Sequence, residues 1–158
     1  MQVPLRVQDV KVNVEFYSFG IQEDDDLKVP VPYPDRSEGN VFLKALPMRL
    51  DFGSAGHTHT ASLRAEVWAQ RPDVDNQPAW DEVDCAEIET VTGRLGVWAI
   101  GRALDVIDLG APGTWRVRVT VQGRDEVRHL ARTVGPVMDV ERWLLQFWPK
   151  EVPEEMAL

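Results

Sequence analysis

The stretch from residue 113 to residue 125 constrains this chain most. Trp115, Val117, Val119 and Val121 alternate there with Thr114, Arg116, Arg118, Thr120 and Gln122. A period of two sends one set into a core and the other into water. Gly113 and Gly123 punctuate the two ends. The pattern is that of a half-buried strand in an antiparallel sheet, and most of the chain follows it. Val10, Val12, Val14 and Phe16 alternate with polar residues, in a strand expected to run on through Phe19 and Ile21. Ala61, Leu63, Ala65, Val67 and Ala69 share one face of a strand over residues 57–70. Residues 41–46 and 48–52 read as one strand interrupted at Pro47.

Further strands are expected over residues 80–92, 93–98, 103–109 and 141–148. The first has Val83, Cys85, Ile88 and Val91 as its apolar positions, and the change from odd to even implies a bulge or break. Cys85 is expected to be a buried structural thiol. The last strand is apolar on nearly both faces, which suits a central or covered position. Residues 124–132 are charged and suit a short helical turn. Six tryptophans lie on or beside these segments, and at least four are expected in the core. Short strands with turn signals and no long helical pattern predict an all-β chain, an antiparallel two-sheet β-sandwich of about 7–9 strands.

A chain of 158 residues suits one domain, here residues 1–149, with 150–158 as a frayed tail. Residues 23–39 read as a long, exposed, acidic and proline-rich loop. Pro30, Pro32 and Pro34 remove amide donors at alternate positions, so no central strand can pass there.

Charge and motifs then narrow the function. Twenty-six acidic residues against 17 basic give a formal charge of -9, which repels phosphate backbones and argues against nucleic acid. No apolar stretch reaches the length of a membrane span, and residues 1–7 lack the apolar core of a signal peptide. Cys85 stands alone, so no intrachain disulfide can form. A reducing compartment fits, and a cytoplasmic location is expected. No nucleophile elbow, phosphate loop or dinucleotide fingerprint is present, so neither an enzyme nor a cofactor is expected.

Two acidic zones remain. Glu23, Asp24, Asp25 and Asp26 form one; Asp73, Asp75, Asp81, Glu82 and Asp84 form the other. If both lie at one end of the sandwich, they make an anionic lip suited to docking a basic protein. This favours a non-catalytic protein-binding module, an acidic inhibitor or immunity-like protein whose partner is a basic nuclease or toxin. Two alternatives stand beside it. His57 and His59 would share a strand face and could reach one ion, in a metal-binding module or metalloenzyme. A structural or oligomerisation module is the other. Arg116 and Arg118 are expected to pair with the protein's own acids.

Three segments resemble the competence protein J family, small acidic β-sandwich inhibitors of a DNA-entry nuclease. They are the opening strand with its aromatics and acidic exit (residues 12–24), the strand after a turn (residues 60–68), and the glycine-led strand (residues 113–119). Together they cover about a third of the chain. The closing segment around Trp143 and Trp148 also resembles the ends of bacterial proteins. The proline-rich loop and the C-terminus are longer than expected of the nuclease inhibitors. The resemblance implies an inhibitor or immunity role rather than catalysis, and carries over no individual contact residue.

Overall fold

The computed structural model describes residues 2–30, 42–74 and 80–150, and the backbone of residues 38–39. The strands are β1 (Arg6–Glu15), β2 (Ser18–Glu23), β3 (Glu38–Gly39), β4 (Leu43–Leu46), β5 (Arg49–Gly53), β6 (Thr58–Val67), β7 (Glu82–Thr90), β8 (Arg94–Trp98), β9 (Arg102–Asp108), β10 (Gly113–Gln122) and β11 (Met138–Pro149). Among the described residues one α-helix, α1 (Arg124–Thr133), crosses between β10 and β11. The acidic, proline-rich loop is described only in part. It begins inside β2, continues through a single 3-10 turn at Asp26–Lys28, and its residues 31–37 lie outside the described residues, as does the tail 151–158.

The strands form one sheet, not the two of the expected sandwich. Its order is β3-β4-β5-β2-β1-β6-β11-β10-β7, with β8 branching from β2 and β9 from β8. The sheet is mixed: β11 runs parallel to β6, from Trp143 beside Leu63 to Phe147 beside Val67, while the other pairings are antiparallel. It curls until β7 comes back against β4 and β5, making a nearly closed barrel. Alternation of side chains misled the expectation here. It marks one wet and one dry face, and a curled sheet and two stacked sheets satisfy it equally.

Four local readings change for the same kind of reason. The opening strand does not run on through Phe19. It turns at Phe16 and Tyr17, with Glu15 paired to Ser18, so Phe16 stands exposed at a hairpin tip. Pro47 and Met48 form the turn of the β4–β5 hairpin, where Leu46 pairs with Arg49, instead of interrupting one strand. β7 has neither bulge nor break: it pairs with β10 in one register from Glu82 to Thr90. Its inward face is Asp84, Ala86, Ile88 and Thr90, which leaves Cys85 exposed instead of buried. Finally, the charged segment after Gly123 is a ten-residue helix seated through one buried side chain, Val127.

The interior is filled from the inward positions of the strands whose side chains are described. Val12, Val14, Phe19, Ile21, Phe52, Leu63, Val117, Val119, Leu145 and Phe147 are all essentially inaccessible. Trp143 packs against Phe19, Phe42 and Phe52 with ring centroids 5.1–5.5 Å apart, an aromatic plug at one end of the barrel. Trp115 and Trp148 are also buried, whereas Trp68, Trp80 and Trp98 are half-buried, so the core holds three tryptophans rather than four. The closing strand is central, between β6 and β10, one of the two positions that its two-faced apolar pattern suited.

Candidate functional site

The two acidic zones do not meet. The carboxylate of Glu23, at the end of β2, reaches Thr90, Val91 and Thr92, just beyond the far end of β7. Asp81 and Glu82 stand at the near end of the same strand. Nine residues of strand put roughly 26 Å between them.

The first zone is engaged internally. Glu23 has no accessible surface, because it lies in phase with the core residues Phe19 and Ile21. Burial alone would raise its pKa. Hydrogen bonds donated by the Asp25 amide, the Thr90 hydroxyl and the Thr92 amide and hydroxyl outweigh that and bring it to about 2. The carboxylate therefore pins the β7–β8 turn to β2. Asp24 accepts a hydrogen bond from the Arg102 guanidinium and lies 3.7 Å from Arg94 Nε. Asp25 Oδ1 accepts from the Leu27 amide and so caps the 3-10 turn. Asp26 is 3.7 Å from Arg102 Nη1.

The second zone faces water. Asp81, Glu82 and Asp73 are exposed and Asp84 is half-buried; Asp75 lies outside the described residues. Asp81 Oδ2 accepts from the Arg124 amide at the start of α1, and Glu82 Oε2 lies 2.9 Å from Arg124 Nε. Farther along β7, Glu87 pairs with Arg116 at 3.4 Å and Lys150 at 3.5 Å, and Glu89 is exposed. β7 and the residue before it thus carry five acids and no basic residue, with Asp84 in the inward phase of the strand and Glu87 and Glu89 in the outward one. Arg116 pairs with an acid as expected. Arg118 is instead buried, donating from Nε and Nη2 to Gln146 Oε1.

The histidines part company. His57 precedes β6, is exposed, and has its Nδ1 2.7 Å from Thr58 Oγ1. His59 is buried in the barrel. Among the described residues no three His, Cys, Asp or Glu side chains form a group that could hold a metal ion.

A cluster that sequence reasoning missed surrounds His59. Ser54 Oγ lies 2.7 Å from His59 Nε2 and donates to Glu141 Oε1 at 2.7 Å. Glu141 also accepts from the Ala55 amide at 2.9 Å and from Trp143 Nε1 at 2.9 Å, and Arg124 Nη1 lies 3.4 Å away. Since the serine proton goes to Glu141, Ser54 Oγ accepts from a protonated Nε2, and His59 Nδ1 is left without a partner. Burial lowers the His59 pKa, opposed by the Glu141 charge. Serine, histidine and glutamate invite comparison with a hydrolytic triad. In such a triad the acid orients the imidazole through Nδ1 and the nucleophile meets substrate. Here the acid holds the serine, and the histidine and glutamate side chains have no accessible surface. The arrangement ties β5, β6, β11 and α1 together. One signal pointed to both buried acids: Glu141 is in phase with Trp143, Leu145 and Phe147, as Glu23 is with Phe19 and Ile21.

An open groove of about 430 Å³ crosses the outer faces of β1, β6 and β11 beside Trp80. On its walls Lys11 pairs with Asp139 and Arg64 with Glu66. It presents no convergent set of acid, base and nucleophile.

Solved structures supply the comparison that matters. The crystal structure of ComJ, inhibitor of the DNA degrading activity of NucA, from Bacillus subtilis matches over 95% of this chain and 99% of that one, with a TM-score of 0.60 at 10% identity. The chain is folded like ComJ. A protein described as crocagin biosynthetic gene J matches with a TM-score of 0.57 at 12% identity, over 92% of this chain and 98% of that one. No family model and no curated protein matches the sequence. The ComJ-like fold runs through nearly the whole chain, and at these identities the likeness is one of fold.

Proposed function

We propose that this protein is a non-catalytic, cytoplasmic binding module of the inhibitor or immunity class, and that it docks a basic nuclease or toxin through the acidic edge of the barrel. The observation that carries this reading is the full-length structural match to ComJ, described as an inhibitor of a nuclease. The charge of -9 supports it, as does the row of carboxylates on β7. Of the two acidic zones, the contact belongs to the second, with the exposed Asp81 and Glu82 at its centre. The first is occupied in holding β2, β8 and β9 together.

Affinity capture from the native host, followed by mass spectrometry, tests it. The expected catch is a basic nuclease whose DNA cleavage stops at stoichiometric addition of this protein. Its affinity should fall about tenfold or more between roughly 0.05 M and 0.5 M salt, because exposed charge pairs are screened. An affinity indifferent to salt, or the absence of any nuclease in the captured fraction, would defeat the proposal.

A further inference from the structure

The β1–β2 hairpin turns on two residues whose backbones are both left-handed, Phe16 at φ 54° and Tyr17 at φ 63°. Turns of this hand are the province of Asn-Gly, because side chains of L residues crowd the backbone there. Two bulky aromatics in succession are an outlier, and burial does not explain them: Phe16 is 67% exposed and Tyr17 48%. The tip is nonetheless held firmly. The Tyr17 amide donates to the His57 carbonyl at 3.0 Å, and the Tyr17 carbonyl accepts from the Ser54 amide at 2.8 Å. The His57 ring meets both aromatic rings edge-on, with centroids 5.1 and 5.0 Å away. Strain kept at an exposed, rigid spot points to use.

Its surroundings say of what kind. Arg124, which pairs with Glu82, donates from Nη1 to the Gly53 carbonyl at 2.6 Å, one residue from the Ser54 that supports Tyr17. The aromatic tip and the acidic start of β7 therefore share one end of the barrel. Ile100, 69% exposed in the β8–β9 turn, lies at that end too, since Trp98 pairs with Gly20.

We propose that Phe16 and Tyr17 are the apolar anchor of a protein interface and enter a pocket on the partner rimmed by lysine and arginine. Preordered aromatics lose little freedom on binding and commonly carry most of an interface's energy. The exposed carboxylates of Asp81 and Glu82 set the sign of the rim. This inference rests on the inhibitor reading and assigns its hot spot.

The test replaces the tip by the residues its backbone prefers, Phe16→Asn with Tyr17→Gly, in the full chain. The melting temperature is expected to stay level or rise by a few degrees. Affinity for the captured, purified nuclease is expected to fall about 100-fold. Glu82→Gln, which leaves Arg124 paired with Glu141, serves as the electrostatic control and should mainly slow association. Nuclease binding that survives in the double variant but weakens in Glu82→Gln overturns the anchor and leaves the inhibitor reading intact. A melting temperature lowered by several degrees overturns it as well, because the aromatics would then serve the fold. So does wild-type self-association that the double variant abolishes, since the occupant would be a second copy. Loss of nuclease binding in neither variant sinks the tip and the rim together.

Discussion

A buried carboxylate shows how one side chain can fix an element's position. Glu23 gathers donors from Thr90, Val91 and Thr92 at the β7–β8 turn and from the Asp25 amide, and its pKa of about 2 lies below the ordinary 4.5. A carboxyl depressed on folding contributes stability above its unfolded pKa and loses it as pH falls toward the folded one. The window here is pH 4.5 down to about 2. Glu23→Gln should therefore cost on the order of 3 kcal/mol at neutral pH, seen as a lower urea midpoint, and flatten the acid limb of the stability curve. His59 has the opposite chemistry and the same consequence. Its pKa is lowered on folding, so stability should begin to fall once the unfolded imidazole protonates, near pH 6.5. Denaturant titrations between pH 8 and pH 3 are expected to show that earlier decline in Glu23→Gln as well. Gly123 is fixed by a different constraint. Its φ is +85°, and a Cβ there would lie 2.1 Å from the Val140 carbonyl oxygen, which leaves no residue but glycine between β10 and α1.

At the scale of the element, β7 is the instructive strand. It pairs with β10 along its whole length and meets β4 and β5 only at the seam, so only one side of the strand is fully hydrogen-bonded. The outward residues of this seam strand, Val83, Cys85, Glu87 and Glu89, all face water, with Glu87 paired to Arg116 and Lys150. That arrangement makes Cys85 reachable. Its thiol should react stoichiometrically with a maleimide or an aromatic disulfide in native buffer, without denaturant, and modification should leave the circular dichroism unchanged. A thiol that reacted only after unfolding would contradict the outward face assigned to β7. The acidic side chains discourage edge-to-edge pairing with other chains and, in the proposed function, mark where a basic partner is drawn in.

The whole barrel depends on pairings distant in sequence. β1 lies against β6, and β6 against β11, which also holds β10. Loop closure on that scale comes before most of the reward, so refolding from urea should take milliseconds to seconds and not microseconds. A chain ended at Val137 lacks the strand between β6 and β10 and is expected to give an unfolded circular dichroism spectrum. The same distance hid the polar cluster. Ser54 and Glu141 stand 87 residues apart, and nothing local to either announces the other.

Alternation along each segment was enough to find most of the strands and to sort Ala61, Leu63, Val117, Val119 and Val121 onto the dry face, and its absence in the last strand suited the central position that strand takes. Those are local consequences of a two-residue period, and the acidic balance is a property of composition. Tertiary structure alone decided that the strands curl into one mixed sheet, that the two acidic zones part to opposite ends of β7, and that His57 and His59 enter different surroundings. Strand partners are chosen by contacts between segments far apart in the chain, and a period of two carries no information about which segment will be the neighbour.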